Sequence, residues 1–243
     1  MLTSLHEYLT LKRRSIDYMN LDDTYKHKGL RKALIKTLRE KKLYQNEVLL
    51  AMERVPRHLF LPGNNAFAEL LYEDRAFHIS SGQTISHPST VACQTTLLDI
   101  KENDRILEIG TGSGYQAAVL KEMGAKVYSI ERQKDLHDSS NKLLKAIGYT
   151  SIKTHFGDGF MGWKVFAPYD KILITCAAPE VPQELVKQLK VGGYFVLPLT
   201  NEDDNQIMLR IFKKSEEEFI TEEHGTFAFV PMLKGKEYTK EKP

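Results

Sequence analysis

Arg105–Leu120 reads RILEIGTGSGYQAAVL, and its reading decides the fold. Arg105–Ile109 is a short apolar run with one acid, the length of a buried strand. Glycines then stand at 110, 112 and 114, where the backbone must turn tightly and leave room for a close neighbour. From Tyr115 onward Gln116, Ala117, Ala118, Val119 and Leu120 favour a helix. Strand, glycine-rich turn and helix in that order form the opening unit of a doubly wound α/β sheet.

The same alternation continues on both sides. Upstream, VACQTTLLDI (91–100) predicts a helix, with Ser86 or His87 near its N-cap and Pro88 in its first turn. Downstream, KVYSIE (126–131), SIKTHF (151–156) and DKILITCA (170–177) predict strands, the last with the continuous apolar character of a buried parallel strand. Helices are expected over 114–123 and 134–148, closed by Gly124 and Gly148. A further helix is expected over 181–190, closed by Gly192, followed by a strand over 194–199. Residues 205–214 and 217–230 predict a closing antiparallel pair. Strand–helix alternation requires right-handed crossovers and hence a doubly wound parallel sheet.

The glycine loop excludes two common cofactors. A dinucleotide fingerprint needs a third glycine where Tyr115 stands, and a P-loop needs a Gly-Lys-Ser/Thr that is missing. What remains is Gly110-x-Gly112-x-Gly114 preceded by Glu108, an acid that would repel pyrophosphate and suits a cationic cofactor such as S-adenosylmethionine. Glu131 ends the next strand, 21 residues after Gly110, where a carboxylate accepts from both ribose hydroxyls. Asp158 in FGDGF follows the third strand of the repeat and can meet an adenine amino group.

Composition narrows the class further. The 243 residues are 42% hydrophobic and 27% charged with a formal net charge of +2, so no overall field points to nucleic acid or a membrane. No run approaches the ~18 apolar residues of a spanning helix, and MLTSLHEYLTLKRRS lacks the apolar centre of a signal peptide. Cys93 and Cys176 stand apart, which suggests neither a metal nor a redox pair, and a cytoplasmic location is expected. Ahead of the sheet, LRKALIKTLREKK (30–42) and QNEVLLAMERV (45–55) predict amphipathic helices, and the basic residues between Lys26 and Lys42 read as a solvated face. Pro56 and Pro62 flank the apolar Leu59–Leu61.

One segment is unusual: SSGQTISHPST (80–90) is rich in hydroxyls and contains no carboxylate or lysine, although it lies just ahead of the cofactor loop.

Several ordered segments together resemble the protein-L-isoaspartate O-methyltransferase family. These are AMERVPRHLFLP, YEDRAFHISSGQTISHP, RILEIGTGSGYQAAVL, GDGFMGW, the stretch from Ala167 to Leu199, and FAFVPM. The resemblance covers roughly residues 29 to 233, with 1–28 as an N-terminal extension and 234–243 as a tail. It implies a Rossmann-like S-adenosylmethionine-dependent methyltransferase sheet behind a helical N-terminal part reaching to about residue 85. It implies methyl transfer to the free α-carboxylate of L-isoaspartyl residues in damaged proteins and peptides, which initiates repair, by a monomer that binds no nucleic acid. Ser86 matches the family's catalytic serine. Gln83, Thr84, Ile85, Ser86, Glu108, Gly110, Gly112, Gly114, Glu131, Asp158 and Gly159 match its cofactor-binding positions, and no metal is implied. His87 departs from the small or uncharged residue expected there.

Two other readings fit the cofactor loop alone: methylation of RNA or a small molecule, and a non-catalytic cofactor-binding protein. The Asn/Asp-Pro-Pro-aromatic turn that grips planar amino groups is absent, since the strand ending at Thr175 leads into CAAPEVP.

Overall fold

The computed structural model describes residues 21–61 and 68–238. The readings of residues 1–15, of Pro62 and of the last five residues of the tail lie outside them. Helix α1 (Tyr25–Glu40) starts at Thr24, whose hydroxyl accepts from the His27 N–H while the His27 ring accepts from the Thr24 N–H. Its buried residues His27, Arg31, Leu34, Ile35 and Leu38 recur at helical spacing; its lysines face water as expected, whereas Arg31, read as part of the same solvated face, is buried and pairs with Asp23. Helix α2 (Asn46–Arg54) buries Val48, Leu49, Ala51 and Met52 against it. A 3-10 turn (Arg57–Phe60) and helix α3 (Ala68–Leu71) follow. Next come the two-residue strands β1 (Phe77–His78) and β2 (Thr84–Ile85), paired antiparallel, and helix α4 (Pro88–Leu97).

The main sheet holds β3 (Arg105–Ile109), β4 (Lys126–Glu131), β5 (Lys153–Phe156), β6 (Tyr169–Ile174), β7 (Leu189–Thr200), β8 (Gln206–Lys213) and β9 (Phe219–Phe227). Its order is β5-β4-β3-β6-β7-β8-β9. The first five are parallel, and β8 and β9 close the sheet as an antiparallel meander. Helices α5 (Tyr115–Glu122) and α6 (Lys134–Ala146) connect β3 to β4 and β4 to β5.

Period-two alternation sends neighbouring strand residues into two cores. Ile106, Val127, Leu173 and Val196 join the N-terminal helices and α4–α6 on one face. Leu107, Ile109, Tyr128, Ile130, Ile172, Ile174 and Phe195 join Tyr169, Leu185 and Met232 on the other. A fully buried leucine such as Leu38 contributes about 1.5–3 kcal/mol through its burial alone.

One expectation is corrected. The helix predicted over 181–190 is a single turn, α7 (Gln183–Val186), and Gly192 lies within β7 and closes no helix. Leu189 pairs with Tyr169, so the strand has begun before the predicted helix would end. A Cβ at Gly193 would meet the Asp170 carbonyl at 2.6 Å, so this glycine serves strand contact.

Candidate active site

β3 pairs with β4 on one side and β6 on the other, so the chain's connections diverge at the C-terminal end of β3. Open α/β sheets bind ligands at such a switch point. Here a cleft of about 630 Å³, open to solvent, is lined by Ile109, Gly110, Gly112, Ile130, Glu131, Gly159 and Thr175, among others. Gln83 and Thr84 of the upstream ladder form part of the same wall.

The glycine loop is held from both sides. Gly110 has φ 96°, and a Cβ there would meet Thr175 Oγ1 at 2.6 Å. That hydroxyl donates to the Ile109 and Gly110 carbonyls. The Gly112 N–H donates to Glu131 Oε2 at 2.9 Å, and the Gln133 N–H donates to Oε1 at 2.9 Å. Burial pushes the Glu131 carboxyl above the usual range, against the pull of these N–H donors. Gly114 caps α5 at φ 91°, and a Cβ there would press on Leu144. Its role is helix packing, away from the cleft wall.

Glu108 lies one residue back from the cleft wall, wholly buried. Ser129 Oγ donates to Glu108 Oε2 at 2.5 Å and exchanges a 2.6 Å hydrogen bond with Thr111, while Glu108 Oε1 has no partner among the described residues. Burial raises the Glu108 carboxyl to about 8, with the Glu131 charge adding to the rise. Asp158 Oδ1 accepts from the Phe160 N–H, and Oδ2 accepts from the Gly235 N–H at 2.8 Å. Asp158 therefore sits under the chain's end and outside the cleft wall, although Gly159 belongs to it.

That end forms a roof. Ala177 exchanges backbone hydrogen bonds with Val230 and Met232, and Val230–Leu233 line the cleft. Arg132 pairs with Glu237 at 2.6 Å, and backbone hydrogen bonds join Glu237 to Arg132 and Lys134. Opposite, Ser81 (φ 59°) and Gly82 (φ 68°) turn the loop between β1 and β2, and Gln133 Nε2 donates to the Ser81 carbonyl.

Ile85 is buried and pairs with Phe77, so its place is in the ladder. Ser86 is half-buried, and its hydroxyl has no hydrogen-bond partner among the described residues. His87, exposed, is the N-cap of α4 and makes no side-chain cap. Pro88 has no N–H, and the Ser89 N–H donates to Asp74 Oδ1 at 2.8 Å. The helix start thus already answers an acid and offers an incoming anion fewer donors than its dipole suggests.

The sequence reading missed Thr175, Cys176, Gln133 and the roof. Their signal was weak, since each meets the cleft only through pairing across the sheet. Cys176 lines the wall, and burial pushes its thiol up to about 12, which removes it as a thiolate nucleophile at neutral pH.

A glycine loop at the switch point of a largely parallel sheet, with an acid ending the adjacent strand, defines a Rossmann-like S-adenosylmethionine-dependent methyltransferase. More narrowly, the chain belongs to the protein-L-isoaspartate(D-aspartate) O-methyltransferase family, whose model matches residues 29–237. It is 52% identical over 215 residues to the protein-L-isoaspartate O-methyltransferase of Cytophaga hutchinsonii, covering 88% of this chain and 95% of the relative. The Christiangramia forsetii enzyme of the same name is 48% identical over 216 residues, covering 89% of this chain and all of the relative. A Plasmodium falciparum protein-L-isoaspartate O-methyltransferase, solved with S-adenosyl-L-homocysteine, superposes with a TM-score of 0.74 at 25% identity, covering 84% of this chain and 99% of that one.

Proposed function

We propose that this cleft transfers a methyl group to the free α-carboxylate of L-isoaspartyl residues, with Ser86 orienting the acceptor. S-adenosylmethionine is the cofactor, and isoaspartyl-directed carboxyl methylation is the activity of the family. The observation that carries the assignment of residues is that Gln83 and Thr84, three and two residues before Ser86, share one cleft with Gly110, Gly112 and Glu131. The acceptor loop and the cofactor loop are therefore adjacent walls.

The residues fit the cofactor. The glycine loop has no room for side chains at Gly110, Glu131 faces the cleft, and Glu108 beneath it keeps one buried carboxyl oxygen without a partner among the described residues. When bound, S-adenosylmethionine supplies a methyl group on a sulfonium that departs as a neutral thioether.

The chain's own work is positioning. Glu131 accepts ribose hydroxyls, and Gly110 and Gly112 bring backbone within van der Waals reach of the ligand. The unengaged Ser86 hydroxyl donates to one acceptor oxygen and leaves the other to attack. In-line placement of two reactants is worth up to about 7–11 kcal/mol in ideal cases, so no proton transfer need be added. The roof at Val230–Leu233 excludes water around charges that annihilate during transfer.

We read the chain as a monomer acting in the cytoplasm on proteins and peptides and not on nucleic acid, in keeping with its small net charge. No helix among the described residues is long and apolar enough to cross a membrane. The test is incubation with radiolabelled cofactor and matched Asp and isoAsp peptides. Base-labile label should appear on the isoAsp peptide and be nearly absent from the Asp peptide. Equal labelling of both would mean a general carboxyl methyltransferase, and labelling of RNA instead would replace this reading.

A further inference from the structure

Arg57 heads the fully buried side chains by volume among the described residues, and none of their carboxylates forms a salt bridge with it. Its guanidinium meets carbonyl oxygens instead. Nε donates to the Leu71 carbonyl at 3.2 Å, and one terminal nitrogen donates to the Arg75 carbonyl at 3.4 Å and the Ser86 carbonyl at 2.8 Å. The other terminal nitrogen meets no partner in hydrogen-bond geometry among the described residues, although the Tyr115 hydroxyl lies close enough to act on the guanidinium. The cation lies over the ring of Tyr115, the first residue of the helix that follows the glycine loop, at 4.9 Å. Asp74, the acid whose charge reaches it, is already engaged by Lys41 and the Ser89 N–H.

A buried cation without a carboxylate partner is costly. Structure alone does not explain its location, because neutral donors could satisfy the same carbonyls. Its position does explain it. The 2.8 Å bond grips the backbone of Ser86, the residue read above as orienting the acceptor, and the contact with Tyr115 ties that grip to the cofactor loop. It also places a positive charge directly behind an anion-binding serine, at a helix start whose Ser89 donor is taken by Asp74.

We propose that Arg57 is a positioning residue for methyl transfer: it sets the orientation of Ser86 through its carbonyl and attracts the acceptor carboxylate with a buried charge. This rests on the role of Ser86 in the proposed function. The two contributions act on different kinetic constants. Orientation matters in the transition state and governs kcat. Charge attraction is strongest for the ionised acceptor and fades as methylation neutralises it, so it governs KM.

The experiment measures kcat and KM for an isoaspartyl peptide, calorimetric affinity for S-adenosyl-L-homocysteine, and thermal unfolding, in the full chain. The proteins are wild type, Arg57→Lys, Arg57→Met, Ser86→Ala and the Ser86→Ala/Arg57→Lys double variant. Arg57→Lys keeps the charge and loses the fork, so kcat should fall roughly tenfold with KM changed by less than about threefold. Arg57→Met should in addition raise KM roughly tenfold or more. Product affinity should stay within about threefold in both. In the Ser86→Ala background, Arg57→Lys should cost little further kcat, because the two residues act as a unit.

Four results would overturn the proposal: wild-type kinetics in both single variants, additive losses in the double variant, equal loss of kcat and product affinity, or failure of both Arg57 variants to fold at 10–25 °C. Failure of the functional reading would look different, since wild type itself would then leave the isoaspartyl peptide unlabelled.

Discussion

The two walls of the cleft are built by opposite means. The cofactor wall consists of strand ends and one tight loop, and its contacts run along the sheet from Gly110 to Thr175 and from Gly112 to Glu131. The wall proposed to meet the acceptor is the β1–β2 ladder with the chain that leads from it into α4, held at the Ser86 carbonyl by Arg57 and at the loop tip by Gln133. The first wall derives its shape from sheet geometry that many sequences share. The second has little regular structure and depends on particular side chains. A substitution in the first should damage binding of the cofactor, and one in the second should damage turnover with the cofactor still bound.

The largest expected break is on the cofactor wall. Gly110→Ala imposes a side chain at φ 96° and drives it against Thr175 Oγ1. Strain of this kind costs about 1–3 kcal/mol. Calorimetry should show affinity for S-adenosyl-L-homocysteine reduced by roughly a hundredfold, with a lowered unfolding temperature, and near-normal values of both would mean that the loop adapts.

On the acceptor wall, Ser86→Ala should lower kcat roughly ten- to two-hundred-fold, as expected for one hydrogen bond to a charged group, with product affinity little changed. A parallel loss of affinity would erase the distinction between the walls. The pH–rate profile should keep its shape from about pH 6 to 8 in wild type, Ser86→Ala and His87→Ala, because the acceptor's own pKa lies near ~3.5. A limb near pH 6.5 that disappears in His87→Ala would assign a base to this loop.

Glu131→Ala should weaken cofactor binding roughly tenfold or more, since a hydrogen bond to a charged group contributes about 1.5–3 kcal/mol. The effect should appear in affinity and leave kcat at saturating cofactor nearly intact.

The smallest effect is on stability and sharpens the comparison from beneath the cofactor wall. Below about pH 4.5 the Glu108 carboxyl is neutral in the folded and unfolded chain alike. Between there and about 8 only the unfolded chain ionises it, so stability falls as pH rises and the loss is complete above that window. Glu108→Gln removes this component. The unfolding temperature of the variant relative to wild type should rise by a few degrees between pH 5 and pH 8, and a constant difference would place the proton elsewhere.

The contrast between the walls also explains what could be read from the chain. β3 and β4 fall on the residues their patterns predict, 105–109 and 126–131, because apolar runs bounded by glycine and charge are local signals. The 181–190 helix failed because Pro182 and a helical pattern of apolar residues are local, whereas the pairing of Leu189 with Tyr169 is not. The glycine loop and Glu131 were legible as a motif. Arg57 was not: Val55-Pro56-Arg57 at a turn says nothing of the Ser86 carbonyl, 29 residues on. Thr175 and the roof were hidden for the same reason, since their meaning lies in partners that only the assembled sheet supplies.

The roof has a consequence in time. Val230–Leu233 close a cleft whose floor, Ile109–Gly112, leaves the ribosome about 120 residues earlier. A growing chain can form β3, β4 and β6 with their helices while the cleft still lacks its lid. The cleft is therefore completed only once residues 230–237 have been made, when Ala177 finds Val230 and Glu237 reaches Arg132. A chain truncated just before Val230 would keep the whole sheet and hold its cofactor loosely, and pulse-labelled nascent chains of graded length should acquire product binding in one step as residues 230–237 are added.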